Sequence, residues 1–191
     1  MIPLEPDRYY HIYNHANGRD ELFTEDRHYR FFLRRYIHFI QPVANTFAYC
    51  LMPNHFHLLI RIKERKGLQE LESFPKFETL EKFISKQFAN LFSSYTQAFN
   101  RSQNRKGSLF YKNFRRKEIT TEEYFAKLVN YIHFNPVVHG FTEYPGDWKY
   151  SSYQAILSGK STMVARSETI AWFGGLDNFM ACHRHPFDIT I

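Results

Sequence analysis

Apolar and polar positions along this chain change period several times, and each change predicts an element. In residues 8–15, RYYHIYNH, the pattern alternates, so Tyr9, His11, Tyr13 and His15 share one face of a strand. Asn17-Gly18 then marks a turn. Tyr29, Phe32, Leu33, Tyr36, Ile37 and Ile40 recur at helical spacing and predict an amphipathic helix over 25–40. Thr24 is its expected N-cap, Glu25 and Asp26 supply negative charge to the first turn, and Pro42 closes it. The apolar stretch 43–63 is interrupted by Pro53-Asn54 and reads as two strands, 45–52 and 55–63. After Gly67, residues 68–76 are mixed and broken by Pro75. Leu80, Phe83, Ile84, Phe88, Leu91, Phe92, Tyr95 and Phe99 predict a helix over 77–101.

Gly107 marks a further turn, and 108–119 reads as strand or loop-strand. Thr120 or Thr121 caps the next helix, with Glu122 and Glu123 in its first turn. Its apolar stripe is Phe125, Leu128, Val129 and Ile132, and Pro136 is expected to stop it near 134, because proline disfavours helical geometry in the residue before it. Short helices are expected near 149–158 and 175–183. The resulting order, β-α-β-β-α-β-α, predicts an α+β fold: a ferredoxin-like sandwich with one antiparallel sheet and helices packed mainly on one face. Residues 1–159 form the expected functional domain, and 160–191 an extension with no assigned role.

The chain's 191 residues suit one domain, and 43% hydrophobic with 18% aromatic content supports a core rich in rings. A net charge of +6 favours an anionic partner, nucleic acid first. The charge is concentrated. From 101 to 117 the basic residues are Arg101, Arg105, Lys106, Lys112, Arg115, Arg116 and Lys117, with no acidic residue among them. Phe110, Tyr111 and Phe114 are interleaved, offering rings to unpaired bases while the cations meet phosphates; the plain alternative is a solvated basic loop with its rings in the core. Cys50 and Cys182 form no CxxC, so neither a zinc ribbon nor a disulfide framework is expected, and Cys50 reads as a buried thiol. No signal peptide pattern and no apolar run approaching 18 residues is seen, so a cytoplasmic protein without membrane contact is the expectation.

The candidate chemistry begins at His55-Phe56-His57, in the strand FAYCLMPNHFHLLIRI. Strand alternation puts both imidazoles on one face, where they can bind one divalent ion, and sends Phe56 into a core. Downstream, Tyr124, Lys127 and Tyr131 share a flank of the helix, and Tyr131 and Asn135 are four apart, neighbours if the last turn stays helical. A phenol of pKa about 10 attacks poorly at neutral pH, so a metal on a scissile phosphate would be a fitting companion. Asn135 offers such a metal an oxygen, and Mg²⁺ or Mn²⁺ suits that site; Lys127 would contact phosphate or favour the phenolate. Read alone, Tyr131 is rather a core-edge tyrosine and Asn135 a polar residue ending a helix.

Taken together, YCLMPNHFHLLI (49–60), NRKGSLFYKNFRRK (104–117), YFAKLVNYIHFNPVVHG (124–140) and DWKYSSY (147–153) resemble the single-tyrosine HUH transposases, and among them the REP-associated tyrosine transposases. The resemblance covers about 8–155. It implies that His55 and His57 bind a divalent metal and that Tyr131 is the nucleophile. It implies attack on single-stranded DNA near a hairpin, leaving a 5′-phosphotyrosine and a 3′-OH, and later rejoining without ATP. Lys127, Arg105, Lys106, Lys112, Arg115, Arg116 and Lys117 become the expected DNA contacts.

The chain departs from the pattern at one position. Many insertion-sequence members carry glutamine where this chain has Asn135, which makes it a less secure third ligand than the histidines. Tyr95, spaced with Leu91, Phe92 and Phe99, reads as packing. His11 and His15 could approach the metal from the first strand but are expected to face solvent or DNA, His133 and His139 to be surface or hydrogen-bonded, and His183-x-His185 to be coincidence. Monomer and homodimer both stay open. So do two other functions, a relaxase or replication-initiator nickase and a non-catalytic hairpin-binding module.

Overall fold

The computed structural model describes residues 2–72 and 79–187. In chain order the elements are β1 (Tyr9–His15), α1 (Asp26–Phe39), β2 (Ala44–Met52), β3 (His55–Ile62), α2 (Arg65–Gln69), α3 (Leu80–Ser102), β4 (Arg115–Ile119), α4 (Glu122–Val138), α5 (Tyr153–Leu157), α6 (Arg166–Trp172) and α7 (Leu176–Cys182). The four strands form one sheet in the order β2-β3-β1-β4, with every pairing antiparallel. This is the split βαβ arrangement read from the element order, and it puts the His55 and His57 strand in the interior of the sheet.

Strand alternation decides what each face does. Phe56 points away from the two histidines and packs 5.5 Å from Phe32 of α1 and 5.8 Å from Phe92 of α3, ring centre to ring centre. Helices α1 and α3 therefore cover that face. The opposite face is not bare: α4 crosses it, with Phe125 set edge-on to Tyr9 at 5.6 Å and to Phe47 at 5.5 Å. The α+β class, the antiparallel sheet and the packing of α1 and α3 on one face are as read from sequence, and α4 adds a helix on the other face. Its apolar stripe needs a buried partner surface, and the histidine face of the sheet supplies one.

Three boundaries differ from the sequence pattern. Helix α1 is capped by Glu25 without a side-chain bond, and Thr24 instead sets its Oγ1 3.0 Å from His28 Nδ1. The strand expected within 108–119 is confined to β4, preceded by a single bridge between Ala16 and Phe110. Helix α4, capped by Thr121, runs through Pro136 rather than stopping before it. Proline removes one donor, but the turn after it closes normally: His139 N–H donates to Asn135 O at 3.1 Å and Phe141 N–H to Pro136 O at 2.8 Å. The Pro75 break and the first residues of the helix expected from 77 lie outside the described residues.

The sheet edge at β2 is covered by later chain. Ser151 bridges Cys50, and Val164 bridges Thr46. Beyond residue 160, Val164, Phe173, Phe179 and His183 are buried. Asn130 of α4 ties down the last turn of this segment, donating to Cys182 O at 2.7 Å and His185 O at 3.0 Å and accepting from Phe187 N–H at 2.8 Å. No helix among the described residues is long and apolar enough to cross a membrane.

Candidate active site

Antiparallel register brings the aromatic face of β1 against the histidines of β3. Tyr13 pairs with His57 and His15 with His55, so all four side chains share one face. Helix α4 lies over this face with Tyr131 5.3 Å from His57, ring edge to ring face. One turn further on, Asn135 Oδ1 sits 2.7 Å from His55 Nε2. The continuation of α4 through Pro136 keeps Tyr131 and Asn135 on one helical surface, as their spacing of four requires. His55, His57, Tyr131 and Asn135 thus come together as anticipated.

Burial sets the protonation of the site. It pulls His55 down to about 4, against a partial offset from the Asn135 contact, and pulls His57 well below the usual imidazole range, with His11 and His55 adding to the effect. Both rings are neutral at physiological pH and hold a lone pair. Burial also raises the Tyr131 phenol, while a hydrogen bond with Asn135 lowers it. Tyr131 therefore rests as a phenol rather than a phenolate.

The donor chemistry around His55 fits a cation. A neutral imidazole carries one N–H. Nδ1 of His55 lies 2.7 Å from Asn54 Oδ1, and Nε2 lies 2.7 Å from Asn135 Oδ1. One proton cannot serve two oxygens. With the proton on Nδ1, the lone pairs of His55 Nε2 and Asn135 Oδ1 converge, an arrangement that a shared divalent ion satisfies. Among the described residues no group of three or more His, Cys, Asp and Glu is disposed to hold a metal, so the available set is two imidazoles and this amide oxygen.

His11 does not face solvent, while His15 is half-buried. His11 is fully buried, with Nε2 2.9 Å from His57 Nδ1, and burial lowers it to about 3. His15 stacks on His55 at 4.6 Å and 16°. Sequence periodicity places these rings on one strand face, but only pairing with β3 shows what covers that face. His139, exposed, lies 5.1 Å from His55. His133 is buried and doubly bonded, Nδ1 to His183 Nε2 at 2.9 Å and Nε2 to Ser152 Oγ at 2.7 Å. His183 is therefore half of an internal pair with His133, while His185 is exposed, so His183-x-His185 forms no joint site. Tyr95 is buried and donates to Leu22 O, a packing residue as anticipated.

The basic segment divides. Arg115 pairs with Tyr13 and Lys117 with His11, which sets both cations on the Tyr131 side of the sheet. Arg116 points the other way, 4.4 Å from the Phe114 ring, and joins Lys112 along a cavity of about 630 Å³ between α3 and residues 108–114. Arg105 is engaged by Asp20, Asn100 Oδ1 at 2.7 Å and Ser108 O at 3.0 Å, while Lys106 is exposed. Lys127, one turn before Tyr131 on α4, pairs with Glu123 at 2.6 Å. Of the interleaved rings, Phe110 and Phe114 belong to the core, and only Tyr111, 51% exposed, is offered to a ligand.

The chain is 27% identical over 110 residues to a curated protein of Haemophilus influenzae whose name assigns it to the REP-associated tyrosine transposases. The match takes in 56% of this chain, which spans 58% of that relative's length. A solved structure, of a REP-associated tyrosine transposase bound to a REP hairpin, superposes with a TM-score of 0.64 over 85% of this chain and 87% of the other, at 17% identity. Sequence and fold both resemble REP-associated tyrosine transposases. No family model matches the chain.

Proposed function

We infer that this chain is a REP-associated-type tyrosine transposase that nicks and joins single-stranded DNA beside hairpins. The observation that carries this reading is the meeting of Tyr131 with His57 at 5.3 Å while Asn135, one turn along the same helix, reaches His55 at 2.7 Å. The resemblance to a transposase bound to a REP hairpin supports the choice of substrate.

In this reading Tyr131 Oη attacks a DNA phosphorus. The Oη–P bond forms, the P–O3′ bond breaks, and the phenol proton passes in net terms to the departing 3′ oxygen. His55 Nε2, His57 and Asn135 Oδ1 would hold Mg²⁺ or Mn²⁺, which when bound neutralises phosphate charge and makes phosphorus more electrophilic. Asn135, one turn along the same helix, would also help to orient the phenol. Arg115 and Lys117, on the same face, would take the flanking phosphates. Strand transfer reverses the step: a 3′-OH attacks the phosphotyrosine, and the phenol is restored.

The test is a covalent-adduct assay with end-labelled single-stranded hairpins from the gene's flanks, with Mn²⁺ and with chelator. A metal-dependent adduct on wild type that disappears in Tyr131→Phe and His57→Ala supports the reading. Tight hairpin binding without an adduct on any substrate overturns it in favour of a binding module.

A further inference from the structure

We propose that His11 is a positioning residue for His57: its Nε2 accepts the Nδ1–H of His57 and so reserves His57 Nε2 for a divalent cation. This rests on the metal site proposed above and adds a residue outside it. His11 lies on β1, paired with Leu59, and reaches His57 diagonally across the strand pair. The two nitrogens are 2.9 Å apart, and the rings are only 26° from coplanar, the orientation that an in-plane N–H···N bond needs. Tyr13 lies against both rings, 4.7 Å from His11 and 5.7 Å from His57.

The contact can be made with the proton on either nitrogen, and the two cases differ in consequence. If His11 donated from Nε2, His57 would carry its own proton on Nε2 and could not be a ligand through that atom. If His57 donates from Nδ1, its Nε2 keeps the lone pair. His55 has the matching device, with its Nδ1 2.7 Å from Asn54 Oδ1. Each candidate ligand then has a partner on Nδ1, one from the β2–β3 turn and one from β1.

A purely structural role explains His11 poorly. Its Nδ1 is buried and has no hydrogen-bond partner among the described residues. In either proton arrangement one polar atom of this ring stays unsatisfied in the interior, a cost that an apolar ring would avoid. A position that keeps an uncompensated polar atom beside a reactive cluster marks a functional constraint.

The experiment uses the full chain labelled with ¹⁵N-histidine. Two-bond ¹H–¹⁵N correlation without metal gives the His57 tautomer, and calorimetric titration with Mn²⁺ gives affinity for wild type, His11→Gln, His11→Phe and His55→Ala. The expected result is an Nδ1–H tautomer at His57 in wild type. His11→Gln, whose amide oxygen can replace the acceptor, should keep both the tautomer and the affinity. His11→Phe should lose about 10–100-fold in Mn²⁺ affinity, with melting temperature unchanged or higher. An Nε2–H tautomer at His57 in wild type, or undiminished Mn²⁺ affinity in His11→Phe, overturns the assignment of His11 and leaves the metal site standing. Should His11→Phe not fold, the wild-type tautomer and His11→Gln decide. Wild type that takes up no Mn²⁺ sensitive to His55→Ala overturns the metal site itself, and His11's role with it.

Discussion

His55 Nε2 and Asn135 Oδ1 meet at 2.7 Å although 80 residues separate them in the chain. Two lone pairs at that distance call for a proton or a cation between them. Replacing Asn135 with alanine should therefore weaken Mn²⁺ binding by about tenfold or more. Asn135→Asp, which keeps an oxygen at the same reach and adds charge, should tighten it. Calorimetric titration of both variants checks the point, and equal affinity in Asn135→Ala and wild type would remove Asn135 from the ligand set.

Tyr131 and Tyr95 should separate cleanly. Tyr131→Phe removes the oxygen proposed to react and should abolish the adduct while leaving the fold intact, because the ring is only partly buried. Tyr95→Phe removes a buried hydroxyl that donates to Leu22 O, and should cost about 1–2 kcal/mol of stability with the adduct retained. Urea unfolding beside the adduct assay distinguishes them.

The divided basic segment makes a prediction about salt. Arg115→Ala and Lys117→Ala should each weaken hairpin binding and flatten its dependence on log salt by about 0.7 for every single-strand phosphate left unneutralised. Arg105→Ala should leave the salt slope unchanged and lower stability, since Arg105 is engaged by Asp20, Asn100 and Ser108. Binding titrations at several salt concentrations show whether the cations divide this way.

Acid should unfold this protein early. His11 is lowered to about 3, and His55 and His183 to about 4, chiefly by burial. The His183 ring, packed among Phe179, Tyr153 and Phe173, stays depressed despite the bond between its Nδ1 and Phe179 O. These groups are neutral in the fold, while in the unfolded chain they titrate near 6.5. Below pH 6.5 the unfolded state binds more protons. The stability they confer is therefore complete above pH 6.5, falls as pH drops toward 4, and for these three levels off below 3. The slope should approach about 1.4 kcal/mol per pH unit for each histidine involved. Urea unfolding at pH 7.5, 6 and 5 measures it, and a flat profile would count against neutral buried histidines.

Asn130 should prove to be the fastening of the C-terminal segment. Asn130→Ala leaves Cys182 O, His185 O and Phe187 N–H without their side-chain partner, and should cost about 1–3 kcal/mol. Limited proteolysis should then cut near 182–187 sooner than in wild type. Unchanged cleavage would mean that the His133 and His183 pair holds the segment unaided.

The sequence by itself determined the alternation that puts His55 and His57 on one strand face, the helical spacing that joins Tyr131 to Asn135, and the burial of Tyr95. Each depends on backbone period alone, which a local pattern records. It also carried the element order from which the antiparallel sheet follows. Only the tertiary structure decided the rest. That His11 meets His57 depends on the register of β1 against β3, and a strand's own sequence does not state its partner. That α4 continues through Pro136 depends on bonds made by residues after it, where the local rule for the residue before a proline predicts a stop. That Phe110 and Phe114 serve the core, that Arg105 is held by Asp20, and that His183 completes a buried pair with His133 all depend on contacts between distant segments. Composition counts such residues, but burial and partners assign them, because the energy of a charge or an imidazole is set by what surrounds it.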